Sequence, residues 1–189
     1  MKKILLGLTT AAVLSSSLFA YGEKDNEFYK ASKINLEAGS LNGTGDARIG
    51  IDQVLIGGIF LMSDQFVLEA KISKENQAIA ALNYQYHDLT NSGKHFFVEG
   101  GFGFEKFITN DLKDLDKQIF YSANAGIYLQ DHILKTGYKI GSEKHEIHVK
   151  YESPEFFNHT TMSATIAQNY LKDSENFETT ALIGVNYKF

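Results

Sequence analysis

Residues 177–189 read FETTALIGVNYKF. Every second position, Phe177, Thr179, Ala181, Ile183, Val185, Tyr187 and Phe189, carries an apolar or weakly polar side chain. Between them stand Glu178, Thr180, Leu182, Gly184, Asn186 and Lys188. A helix returns the same face every three or four residues. Only a strand, whose successive side chains point to opposite faces, separates these two sets. The same alternation runs through 95–107, where Phe96, Val98, Gly100, Phe102 and Phe104 oppose Glu99, Gly101, Gly103 and Glu105. In 119–131, Ile119, Tyr121, Ala123, Ala125, Ile127 and Leu129 oppose Ser122, Asn124, Gly126, Tyr128 and Gln130. In 145–152, His145, Ile147, Val149 and Tyr151 oppose Glu146, His148, Lys150 and Glu152. Weaker alternation marks 32–40, 47–60, 65–73, 77–88, 133–141 and 160–171. The expectation is therefore ten antiparallel strands, or eight if the weak first pair is miscounted or two short strands merge. In 47–60 the apolar parity changes near Gln53, which predicts a bulge or a more buried stretch. Turn chemistry falls between strands at Asn42-Gly43, Asn91-Ser92-Gly93, Gly141-Ser142 and Ser153-Pro154. The longest connection, 108–118, holds Asp111, Asp114 and Asp116 and reads as a surface loop.

The chain's 189 residues fit one domain. With 43% apolar and 13% aromatic residues against 22% charged, it is a packed chain rather than a disordered one. Past the N-terminus no apolar run reaches the ~18 residues that a membrane-spanning helix needs. The absence of Cys excludes disulfides, thiolate metal sites and a thiol nucleophile. A net charge of −5 offers no basic footprint for nucleic acid. Residues 1–20 read as a secretory signal peptide. Lys2 and Lys3 precede an apolar stretch over 4–14, and Ser15, Ser16 and Ser17 lead to a small residue, Ala20, at the cleavage point. Residues 21–189 are then one exported domain. Export without Cys fits the envelope of a Gram-negative bacterium.

The polar faces carry charges of both signs in midstrand. Candidate inward residues are Lys33, Glu37, Arg48, Asp52, Glu69, Lys71, Glu99, Glu105, Lys135, Lys139, Glu146, Lys150, Glu152, Glu178 and Lys188. A mixed, near-neutral set can pair inside a narrow lumen, where an unpaired charge is costly. Of these, Glu69, Lys71, Glu99, Glu105, Lys135, Lys139, Glu146, Lys150 and Glu152, joined by His148, are expected to form a lumen charge network. Gly101 and Gly103 leave room for a large inward residue such as Tyr128 on the next strand. Aromatics cluster near strand ends at Tyr84, Tyr86, Phe96, Phe107, Tyr151, Tyr170, Phe177, Tyr187 and Phe189. A membrane barrel carries its girdles there. The fold class expected is all-β: an antiparallel up-and-down transmembrane β-barrel with both termini in the periplasm.

The chain's last residues, Gly184-Val185-Asn186-Tyr187-Lys188-Phe189, set a Gly, an apolar residue and alternate aromatics before a terminal Phe. This resembles the assembly signal of bacterial outer-membrane β-barrels. The family usually has a polar residue two before the Gly, where this chain has Leu182. The resemblance implies that Gly184, Val185, Tyr187 and Phe189 engage the outer-membrane assembly machinery. In architecture the chain is similar to small outer-membrane barrels of the OmpX, OmpW and YfaZ types. That implies outer-membrane lipid and lipopolysaccharide as surroundings and a monomeric state.

Catalysis is not expected. The lipid A deacylase type of barrel uses a His-x-Ser pair, and neither His145, His148 nor His159 begins one. Thr161 after His159 is a poor substitute nucleophile. His145 and His148 fall on opposite strand faces, which disfavours a shared metal. The three Asp of the long loop lack calcium-loop spacing. Gly100-Gly101-Phe102-Gly103 lacks the spacing of a dinucleotide fingerprint. No cofactor is implied. The expected role is structural or that of a narrow pore. The alternatives are a surface-binding or adhesion barrel acting through loops such as 108–118, and a soluble periplasmic barrel holding a small apolar ligand.

Overall fold

The computed structural model describes residues 32–42, 50–63, 65–73, 78–88, 94–106, 117–129, 132–172 and 177–189. They form ten strands: β1 Lys33–Asn42, β2 Gln53–Leu61, β3 Phe66–Ser73, β4 Ala78–Asp88, β5 Lys94–Lys106, β6 Gln118–Leu129, β7 His132–Gly141, β8 Lys144–Glu152, β9 Thr160–Leu171 and β10 Phe177–Lys188. Each pairs antiparallel with its sequence neighbour, and β1 pairs with β10 to close the barrel. The sheet therefore has no free edge among its described strands. Every strand has a ladder partner on both sides for its backbone donors and acceptors.

Register follows the alternation. Ile34, Leu36 and Ala38 of β1 sit opposite Tyr187, Val185 and Ile183 of β10, all on the outer face. Glu37 faces Gly184 and Lys33 faces Lys188 on the inner one. The molecule is inside-out compared with a water-soluble core. Outside, Leu36, Val98, Phe102, Ile119, Tyr121, Ile166 and Ile183 stand half or more exposed. Inside, Asn35, Glu37, Glu99, Glu105, Lys144, Glu152, Thr161 and Asn186 are buried. An apolar exterior running around the whole barrel far exceeds the patches that a soluble monomer shows to water.

Three expectations change. The parity switch near Gln53 is where β2 begins; there is no bulge, for β2 pairs without interruption with β1 and β3, while the alternative of a more buried stretch holds, with Leu55, Gly57, Gly58 and Phe60 buried. Asp52 consequently precedes the strand and is exposed, its N–H donating to the Gly39 carbonyl at 2.9 Å, so it is no lumen residue. Third, the inward side chain that fills the space at Gly103 is Phe120, whose ring would lie 2.5 Å from a Cβ there. Tyr128 packs instead on Phe97, ring centroids 4.9 Å apart. The signal peptide, Arg48, Phe107 and most of the 108–118 loop lie outside the described residues.

Candidate functional site

Alternation turns charges of both signs into the lumen, and the strand stagger decides which of them meet. Glu37 of β1 accepts from Lys71 Nζ at 3.0 Å and from Lys150 Nζ at 3.1 Å. Lys71 also meets Glu69 at 3.0 Å. Gly57 of β2 makes the first contact possible: a Cβ there would come within 2.6 Å of Lys71 Cγ. The lysine of β3 thus crosses β2 to reach β1.

A second cluster gathers around Glu99, which accepts from Asn124 at 2.7 Å, from Lys135 at 3.1 Å and from Gln85. A third holds Glu105, with Lys144 at 3.0 Å and Lys139 at 4.0 Å. It also holds Glu146, with Lys139 at 3.3 Å, Lys144 at 3.5 Å and His148 at 3.2 Å. Lys139 stands 4.9 Å over the Phe120 ring. Near the end where β1 starts and β10 finishes, Lys33 bridges both oxygens of Glu152 at 2.8 Å. Glu152 further accepts from Thr161, which accepts in turn from Asn186.

All ten residues expected in the charge network line the lumen. Lys144 is a lumen base that the sequence reading misses, because the readable alternation starts one residue later, at His145. Its parity with Glu146 carries the information. Among the described residues the inward acids Glu37, Glu69, Glu99, Glu105, Glu146, Glu152 and Glu178 balance the inward bases Lys33, Lys71, Lys135, Lys139, Lys144, Lys150 and Lys188 one for one. Replacing such a pair by well-packed apolar residues is often neutral for stability, whereas removing one partner alone is strongly destabilising.

Two further inner sectors escape the alternation argument. Leu55, Ile59, Leu61, Val67 and Ile79 line the lumen from β2, β3 and β4. Asn35, Thr161, Ser163, Asn169 and Asn186 make an uncharged polar wall on β9, β10 and β1. Inside the barrel a cavity of about 220 Å³ remains. Inward side chains of all ten strands line it.

Outside, polar-tipped aromatics collect at both rims. At the rim where β10 ends, His132 Nδ1 and the Tyr151 hydroxyl share a 2.7 Å hydrogen bond. There Phe66 meets Tyr84 edge-on at 5.4 Å, and His159 meets Tyr187 at 6.4 Å. At the opposite rim the Tyr138 hydroxyl and His145 Nδ1 share a 2.8 Å bond. Tyr170 packs there on Phe177 at 6.2 Å and donates to Gln168 at 2.6 Å. Gly184, Val185, Tyr187 and Phe189 all lie on β10 or at its end; Val185, Tyr187 and Phe189 face outward and Gly184 inward.

No protein-family model and no curated protein matches the chain. Among solved structures, the N-terminal β-barrel domain of Pseudomonas aeruginosa OprF is 15% identical over 85% of this chain and 98% of that one, with a TM-score of 0.38. A de novo designed transmembrane β-barrel is 11% identical over 85% and 96%, TM-score 0.39. Neisserial surface protein A is 11% identical over 84% and 96%, TM-score 0.32. At those scores the likeness carries no argument, and the barrel rests on this chain's own strand ladder.

Proposed function

We propose that the chain is an integral outer-membrane β-barrel with a structural or narrow-pore role, its termini on the periplasmic side. The observation that carries this reading is the inverted polarity: an apolar exterior between two aromatic girdles around a charge-balanced interior. On β10 the girdle residues Phe177 and Tyr187 are ten positions apart. At about 3.3 Å per residue and a tilt near 40° they stand roughly 25 Å apart in height, the height of the apolar band of outer-membrane barrels. Lipid and lipopolysaccharide are then its surroundings, and the assembly machinery its partner through Gly184, Val185, Tyr187 and Phe189. The reading assigns no catalysis: His132 and His145 are spent on outward tyrosines, and the inward His148 sits beside Glu146.

A lumen with a cavity of about 220 Å³ and balanced inward charges among the described residues supports small and weakly selective conductance at most. In planar bilayers the refolded protein is expected to give discrete steps smaller than those of a wide porin. Lys135→Gln, which leaves Glu99 without its lysine, shifts the reversal potential toward cations. Silence from inserted, folded protein would remove the pore and leave the structural role.

A further inference from the structure

The connection between β8 and β9 carries two adjacent phenylalanines in the open. Phe156 is 60% and Phe157 67% exposed, at a turn where polar side chains are the rule. The turn is built to hold them there. The Ser153 hydroxyl donates to the Pro154 carbonyl at 2.8 Å and accepts the Met162 N–H at 2.9 Å. The Phe156 N–H reaches the Thr160 carbonyl at 3.1 Å, and the Thr160 N–H returns to the Phe157 carbonyl at 2.7 Å. His159 takes the left-handed conformation, with φ at 62°, which histidine adopts more readily than most residues other than glycine. The chain's last strand braces the tip. The Lys188 N–H donates to the His159 carbonyl at 2.8 Å, and the Lys188 ammonium answers Glu155 at 3.5 Å. A turn whose one acid is paired, and which holds two open Phe just below a polar Asn158–His159 tip, is suited to a surface that is neither water nor hydrocarbon.

Its height says which surface. Thr160 pairs with Tyr187, and β8 enters the turn just after Tyr151, both tyrosines belonging to the aromatic girdle at that rim. Phe156 and Phe157 therefore continue the girdle a little further out. We propose that the 153–159 turn is an interfacial lipid anchor, inserting Phe156 and Phe157 into the headgroup boundary of the leaflet at the rim where β10 ends. The inference rests on the membrane reading above. Aromatic rings favour that boundary, and amphipathic elements lie about 5–10 Å into it. The effect is to fix the depth of the barrel at one rim with a rigid element, while the strands supply the span.

The chain contains no Trp, so a single introduced indole reports its own surroundings. The full chain carrying Phe157→Trp is folded into phosphatidylcholine vesicles whose acyl chains are brominated either near the headgroup or near the chain end. Phe102→Trp, on the outer face at midstrand, serves as the belt control. The tip indole is expected to emit to the blue of its emission in urea and to be roughly halved by bromines near the headgroup, with little loss to deep ones. The belt indole responds most to deep bromines. If the belt indole is quenched while the tip indole emits as in water, the anchor is wrong and the membrane reading stands. A blue-shifted but unquenched tip, meaning a protein contact or a second copy, also overturns the anchor. If neither indole is quenched, both readings fall.

Discussion

Gly39→Val is expected to prevent the barrel from closing. Gly39 lies at the seam between β1 and β10, opposite Leu182. A Cβ at this position would overlap the Ala181 carbonyl oxygen and stand 2.8 Å from Leu182 Cα, both backbone atoms that no rotamer change can move aside. Relief requires the two strands to part, and the seam then exposes unpaired N–H and C=O groups. In hydrocarbon each such group costs several kcal/mol, so only a closed barrel is tolerated there. The gel assay for folded barrels, in which the unboiled protein migrates differently from the boiled one, should show no folded band for Gly39→Val. Gly100→Val is the matched control: Gly100 is exposed on the outer face, and a Cβ there has its nearest neighbour, the Ser122 carbonyl, at 3.9 Å. It should fold as the parent does. A folded band of equal strength from both variants would show that the seam is not the tight contact described.

The second large effect lies in the lumen. Glu37→Gln leaves Lys71 and Lys150 facing an uncharged amide within a nearly closed interior, where the Glu37 side chain is 2% exposed. Removing one partner of a buried ion pair costs about 3–5 kcal/mol, because the remaining charge keeps its desolvation penalty. Urea unfolding of the vesicle-bound protein should show a loss of that order. The double change Glu37→Met with Lys150→Met should recover most of it. That pair preserves lumen neutrality and leaves Lys71 on Glu69 at 3.0 Å. A double variant as unstable as the single one would mean that shape, not charge, sets the cost.

Much of this architecture is legible in the sequence, and the limits have physical reasons. Where one face meets apolar surroundings and the other a polar lumen, alternation is clean; β5, β6, β8 and β10 are readable for that reason. Residues 54–61, VLIGGIFL, are apolar on both faces. There the alternation test loses its contrast, which hides the inward Leu55 and Ile59 and the true start of β2. The sign balance of the lumen can be counted from parity alone. The pairing cannot. Lys33 and Glu152 lie 119 positions apart on strands separated by β9 and β10. Which lysine meets which glutamate depends on stagger around the closed sheet. Gly57, which lets Lys71 cross β2, reads in sequence only as a weak strand former. The rim pairs of His and Tyr are half visible: parity places Tyr151 in a girdle, but its bond to His132 depends on how β7 and β8 align.

Whether lipid rather than water covers the apolar exterior is tested most directly at Ile166, which lies mid-strand on β9, faces outward and is 62% exposed. On a water-soluble protein, Ile166→Arg at so open a site changes stability by no more than about 0.5 kcal/mol. Against hydrocarbon near the middle of the apolar band it costs about 2–4 kcal/mol. The measurement is the urea unfolding free energy of parent and variant, each folded into phospholipid vesicles. A lipid-covered barrel loses about 2–4 kcal/mol with the arginine, and neither protein folds in buffer free of lipid and detergent. A parent that folds in plain buffer, with Ile166→Arg as stable as itself, would contradict the membrane reading.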